Sequence, residues 1–227
     1  MSIDDSNRLE IAEVLGEASA LIGAHALAFI VATAIYVVFG IWIEDHDESW
    51  SAQATMLIAP VLLQGLLQYL LFRQAFGDVG GGWVGGVVAP FTVIGLQFGI
   101  WLICGLGYFL LLLPGLYLAA RTSAAIGMAA VERTGPIDSI VGSWHRTRRS
   151  AWPLVVVHAI LLFPIVALLV GMFGTIILDQ GIEYESIEFR VVANLVFGVV
   201  TMAGWAVAGA VYRLTAPPRG GHEDIFA

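Results

Sequence analysis

The chain contains no lysine, a single cysteine and few charges of either sign, 12% of residues against 59% hydrophobic. Each shortage excludes something. A lone Cys104 inside an apolar run leaves no internal disulfide and no cysteine-built metal site. Sparse charge with a mean hydropathy of +0.86 over 227 residues excludes a water-soluble globule, because one core cannot bury that much apolar surface. The length suits one bundle of helices without a second soluble catalytic domain. A net charge of -8 gives no electrostatic basis for a nucleic-acid partner.

What is present is a succession of long apolar runs. They predict an all-α polytopic membrane bundle of six spans, at about 18–43, 54–76, 87–113, 116–131, 152–178 and 190–212, since about 20 residues at about 1.5 Å each cross a hydrocarbon core. An N-terminal amphipathic segment, 1–17, precedes the membrane domain 18–213, and a tail, 214–227, follows it. The first run is too long for a signal-peptide core and its preceding segment is acidic, so it is expected to be retained. The fourth run is the weakest. It is short and holds Arg121, which costs roughly 2.5 to 3.5 kcal/mol at a helix centre. Parity nevertheless requires that it cross, or the arginine-rich segment after it would share a side with the acidic loops.

Arginine alone reports orientation here. With both termini inside, the inner side collects Arg8, Arg73, Arg133, Arg146, Arg148, Arg149, Arg213 and Arg219, and the outer side only Arg190. The positive-inside rule therefore places both termini in the cytoplasm, as expected of a multi-pass protein of a bacterial inner membrane. The outer loops "EDHDESW" and "DQGIEYES" are acidic, and a glycine-rich link, "GDVGGGWVGG", joins the second and third spans. Trp42, Trp50, Trp83, Trp152 and Tyr212 fall near span ends, where aromatic belts sit.

Two amphipathic segments precede the first and fifth spans and are expected to lie on the inner surface. In the second, Ile137, Ile140, Val141 and Trp144 share one helical face, Arg146 and Arg149 lie off it, and Pro136 occupies the first turn. Arg146, Arg148 and Arg149 are candidate contacts to lipid headgroups, each worth about 1 kcal/mol near an anionic leaflet. The same cluster also serves as a topology determinant.

The strings "FLLLLPGLYLAARTSAA" (109–125) and "GPIDSIVGSWHRTRRSAWPLV" (135–155) resemble a bacterial inner-membrane family related to the membrane domain of glycerophosphodiester phosphodiesterases. Pro114, Gly115, Tyr117, Arg121, Gly135, Pro136, Ser143 and Trp152 occupy its signature positions. The resemblance implies a six-span fold. It carries no hydrolase activity over, since the soluble phosphodiesterase barrel has no counterpart in this chain.

Chemistry-bearing residues are few. No Asp or Glu falls inside a predicted span, which leaves no carboxylate proton relay at the midplane. His25, His158 and Cys104 belong to different spans, with no metal-ligand spacing and no nucleophile beside its base. Gly95 and Gly99 form a Gly-x-x-x-Gly pair expected to permit close helix packing. Arg121 remains the candidate intramembrane polar site, with Gln64, Gln68 and Gln97 as its expected partners. The expected role is a non-enzymatic, lipid-associated scaffold or assembly protein, partnered by membrane lipids and by a membrane protein or a second copy of itself. The alternative is a carrier or binding protein for an amphiphilic anion held by Arg121. No catalytic residue, metal ligand or cofactor is assigned.

Overall fold

The computed structural model describes residues 8–44, 50–77, 83–177 and 186–217, and all its regular structure there is helical. The long helices are α1 (Ile11–Ala24), α2 (Ala26–Glu44), α3 (Trp50–Phe76), α4 (Trp83–Leu110), α8 (Ala151–Ile177) and α9 (Ile187–Thr215), and between them lie α5 (Leu112–Thr122), the single turn α6 (Ala125–Gly127) and α7 (Pro136–Arg146). The outer loops at 45–49 and 178–185, the glycine link at 78–82 and the tail beyond 217 with Arg219 lie outside the described residues.

Among the described residues, four stretches are long and apolar enough to cross a membrane: Ala26–Glu44, Val88–Leu110, Arg148–Phe173 and Ile187–Thr215. Their outward faces carry Ile30, Val38, Phe91, Phe163, Val170 and Val192, all more than half exposed, as lipid-facing positions should be. This is a membrane protein, with fewer clear spans than the six expected. α3 is long, but Gln64, Gln68, Arg73 and Gln74 dilute its apolar character. The run 116–131 is not one helix: it spans part of α5, a break, α6 and a π-helical turn, Met128–Glu132.

The break has a local cause. Thr122 Oγ1 donates to the Leu118 carbonyl at 2.9 Å and Ser123 Oγ to the Ala119 carbonyl at 2.8 Å, so consecutive hydroxyls compete with the helical ladder. The Ala124 N–H, which a continuous helix would direct at Ala120, is taken by Ser143 Oγ at 3.1 Å. Yet this broken run is the most enclosed part of the protein, buried without interruption from Ala120 to Ala129. Small residues permit this, since Ala120, Ala124, Ala125, Gly127 and Ala129 let surrounding helices close in. A Cβ at Gly127 would collide with the Tyr212 ring.

The first amphipathic segment does not lie on the surface as expected. α1 continues into α2 through a bend at His25, whose N–H bonds the Leu21 carbonyl and whose carbonyl accepts from Phe29, and the pair runs antiparallel to α9. Leu21 meets Gly209, Thr33 and Tyr36 meet Gly198, and Glu44 accepts from Asn194 Nδ2 at 3.0 Å. Burying Val14, Ala18 and Leu21 against α9 satisfies the apolar face that sequence periodicity assigned to lipid.

α4 and α5 form a tight hairpin through glycine. A Cβ at Gly107 would lie 2.8 Å from Gly115 Cα, and one at Gly115 would lie 2.6 Å from the Tyr108 backbone nitrogen. The hairpin tip, Phe109 to Leu113, exposes 51–88% of each side chain and is wholly apolar. Gly95 and Gly99, by contrast, have no neighbour within 4 Å of a would-be Cβ, so the expected close packing occurs at Gly65 against Ile94 and at Gly107 against Gly115 instead. Trp42 and Trp152 are outward-facing as belt residues should be, whereas Tyr212 is 2% exposed and packs edge-on to Phe76 at 5.4 Å.

Candidate functional site

α7 begins at Gly135, whose extended backbone leads into Pro136 at the first helical position, where a missing N–H costs nothing. Sequence periodicity assigns its apolar face to the inner membrane surface. The face it turns to the protein is instead the hydroxyl stripe Ser139, Ser143 and Thr147, each fully buried, at successive turns of one helix side. Ser143 Oγ donates to the Arg121 carbonyl at 2.8 Å, Thr147 Oγ1 reaches the same carbonyl at 3.3 Å, and Ser139 Oγ and Thr134 Oγ1 are 2.6 Å apart. Ser143 and Thr147 satisfy the backbone groups released by the break in 116–131, and Ser139 ties the start of α7 to Thr134. Their i, i+4, i+8 spacing is visible in the sequence, but its partner, a helix break 20 residues earlier, is not.

Ile140 packs against the core beside this stripe, and the far side of α7 faces outward. Ile137 and Val141 are 75% and 49% exposed, and Trp144 is 36% exposed. Trp144 stacks under the Arg121 guanidinium, 4.5 Å from ring centroid to Cζ, and meets Tyr117 edge-on at 5.9 Å. Arg121 is itself only 2% exposed. Its Nε and Nη1 have no hydrogen-bond partner among the described residues. Cation–π contact is worth about 0.5 to 2 kcal/mol and uses the guanidinium face, but an unmatched buried donor costs about 1 to 3 kcal/mol or more when charged. Arg148 lies within Coulombic range and adds repulsion.

The expected glutamine partners are elsewhere. Gln64 Nε2 approaches the Tyr36 hydroxyl at 3.4 Å on α2, Gln68 is buried in α3, and no hydrogen bond joins either of them, or Gln97, to Arg121. α5 packs between α4 and α8, while α3, which carries Gln64 and Gln68, packs on α4, α2 and the π-helical turn.

Arg146, Arg148 and Arg149, in contrast, converge. Together with Arg8, His145, Glu13 and the Leu214–Pro217 stretch they surround a cavity of about 560 Å³ at one end of the bundle. Leu9 anchors its N-terminal wall, its N–H donating to the buried Ser150 Oγ at 2.9 Å. Two carboxylates near this end are paired, Glu132 receiving Arg146 bidentately at 2.7 and 2.9 Å and Glu17 receiving Arg213 at 2.7 Å, while Glu13 lines the cavity itself. Arg8, separated from Arg146 by more than half the chain, could not be joined to this site by spacing.

One nucleophile does stand near a base, a pairing sequence reading missed. Ser123 Oγ lies 3.5 Å from His158 Nε2, and His158 Nδ1 lies 2.8 Å from the Leu154 carbonyl. The Ser123 proton, however, has a nearer acceptor in the Ala119 carbonyl at 2.8 Å, and the hydroxyl is buried. Nucleophilic catalysis needs a serine that gives its proton to the base and faces substrate. Here the pair ties the broken run to α8.

Comparison with protein-family models, with curated proteins and with solved structures yields no match.

Proposed function

We propose that this chain is a bacterial inner-membrane protein that gathers anionic lipid headgroups at its cytoplasmic end and acts as a non-enzymatic, lipid-associated scaffold or assembly protein. The observation that carries this reading is the cavity of about 560 Å³ into which Arg8, His145, Arg146, Arg148 and Arg149 converge from two distant chain segments. Cationic side chains near an anionic leaflet contribute about 1 kcal/mol each, and the outward Ile137, Val141 and Trp144 would enter the acyl boundary beside them. Positive-inside bias supports placing this end, and both termini, in the cytoplasm. In this topology α3 and the broken run 112–132 complete six crossings, the latter with its polar backbone shielded by protein rather than lipid. The resemblance to the membrane domain of glycerophosphodiester phosphodiesterases is consistent with such a bundle and adds no activity.

The test is native mass spectrometry from nanodiscs of equal phosphatidylglycerol and phosphatidylcholine. Wild type should retain the anionic lipid preferentially, and the double variant Arg8→Gln/Arg149→Gln should lose most of that preference, with a falling effect at high salt. Equal retention of both lipids by wild type would sink the proposal.

A further inference from the structure

We infer that Arg121, covered by Trp144 and Tyr117, is the floor of an oxyanion site that takes the phosphate of one tightly held membrane amphiphile. This rests on the membrane reading above but concerns a different place from the open cavity. The Trp144 ring occupies the flat face of the guanidinium. Nε and Nη1 lie on different edges of that planar group, so each edge carries a buried donor without an acceptor among the described residues. Those edges are what grip a phosphate or carboxylate, two oxygens at a time. A purely structural arginine would be expected to spend these donors on carbonyls, and here the adjacent Arg121 carbonyl is itself already satisfied by Ser143 and Thr147.

Charge points the same way. Arg148 lies within Coulombic range of Arg121, and no carboxylate acts on Arg121 among the described residues. A second cation within reach strengthens the pull on an anion bound at Arg121. An amphiphile is favoured over free phosphate by what lies outward. Leu113, one turn before Tyr117, and Val141, three residues before Trp144, are 65% and 49% exposed, which makes an apolar path for acyl chains leading from the aromatic cover. Entry requires Trp144 or Tyr117 to swing aside, and both are more than a third exposed on the outer side.

The experiment compares full-length wild type, Arg121→Lys, Arg121→Gln, Trp144→Leu and the Arg8→Gln/Arg149→Gln variant, each washed extensively in neutral detergent. Bound phospholipid is counted by native mass spectrometry. Thermal midpoints are then read with added phosphatidylglycerol, phosphatidylcholine or inorganic phosphate. Wild type should keep one anionic phospholipid through washing. Arg121→Lys, which keeps the charge but loses the two-edged grip, should hold it about tenfold more weakly, and Arg121→Gln should lose it. The Arg8→Gln/Arg149→Gln variant should keep this single adduct while losing exchangeable lipid, so failure of the cavity reading and failure of this one are separable. Because Arg121→Gln could impair folding, Arg121→Lys with wild-type helix content is the deciding variant. An unchanged adduct in both Arg121 variants overturns the inference, and a midpoint shift produced by inorganic phosphate alone overturns the amphiphile as its ligand.

Discussion

Ser143 makes a contact pattern unusual for a small side chain in a helix: one hydroxyl donates to the Arg121 carbonyl and accepts from the Ala124 N–H, closing both open ends of a broken helix. Removing it strands the buried Ala124 N–H, at about 1 to 3 kcal/mol, and leaves the Arg121 carbonyl only the longer contact from Thr147 Oγ1 at 3.3 Å. Ser143→Ala is therefore expected to lower stability by about 2 to 4 kcal/mol, measured as a large fall in thermal midpoint. Ser139→Ala should cost less, because Thr134 Oγ1 retains other options near the surface. The Arg146–Glu132 pair is partly exposed, with side chains 20% and 26% accessible, so its bidentate geometry is expected to yield only about 0.5 to 1 kcal/mol in a double-mutant cycle. A coupling near zero would show that the pair orients α7 without holding it.

Elements carry a different kind of information. The α4–α5 hairpin depends on two glycines: a Cβ at Gly107 would meet the Gly115 backbone, and one at Gly115 the Tyr108 ring and backbone nitrogen. Gly107→Ala and Gly115→Ala should each destabilise the hairpin by about 1 to 3 kcal/mol through overpacking, whereas Gly95→Ala and Gly99→Ala should be near neutral or slightly stabilising because nothing lies within 4 Å. Thermal melts of the four variants check this ranking. α7 was legible as an amphipathic helix from Ile137, Ile140, Val141 and Trp144, and its start at Pro136 was legible too. What its inner side meets was not, because hydrophobic periodicity carries no sign of the released backbone groups that Ser143 and Thr147 bond. With the apolar face outward, emission from a variant retaining Trp144 as its sole tryptophan should be quenched strongly by brominated acyl chains. Weak quenching would place that face against water or protein.

At the scale of the whole molecule, α9 links the two ends of the bundle: Arg213 meets Glu17 at one, and Asn194 meets Glu44 at the other. Glu10 and Asp138 are exposed near the arginine-rich end and Glu188 is exposed at the opposite end of α9. In a Cys104→Ser background, single cysteines at Glu10 and Asp138 should label only from the cytoplasm and one at Glu188 only from outside. Labelling of Glu10 and Asp138 from opposite sides would break the proposed topology.

Composition by itself determined that the chain is helical and belongs in a membrane, because hydrocarbon leaves the backbone no other open arrangement and the apolar runs are long enough to need none. Spacing located the arginine cluster at 146–149, since neighbours in sequence stay neighbours in a helix. Only the tertiary structure decided what these residues meet. It brought Arg8 and His145 to the same cavity, turned Gln64 towards Tyr36 and away from Arg121, and set Trp144 against the guanidinium. It also showed that the doubtful run 116–131 is neither a simple span nor a surface loop but the enclosed centre of the bundle. Insertion arithmetic treats each segment as if it faced lipid alone, and a polar, broken segment becomes tolerable once neighbouring helices supply its hydrogen bonds.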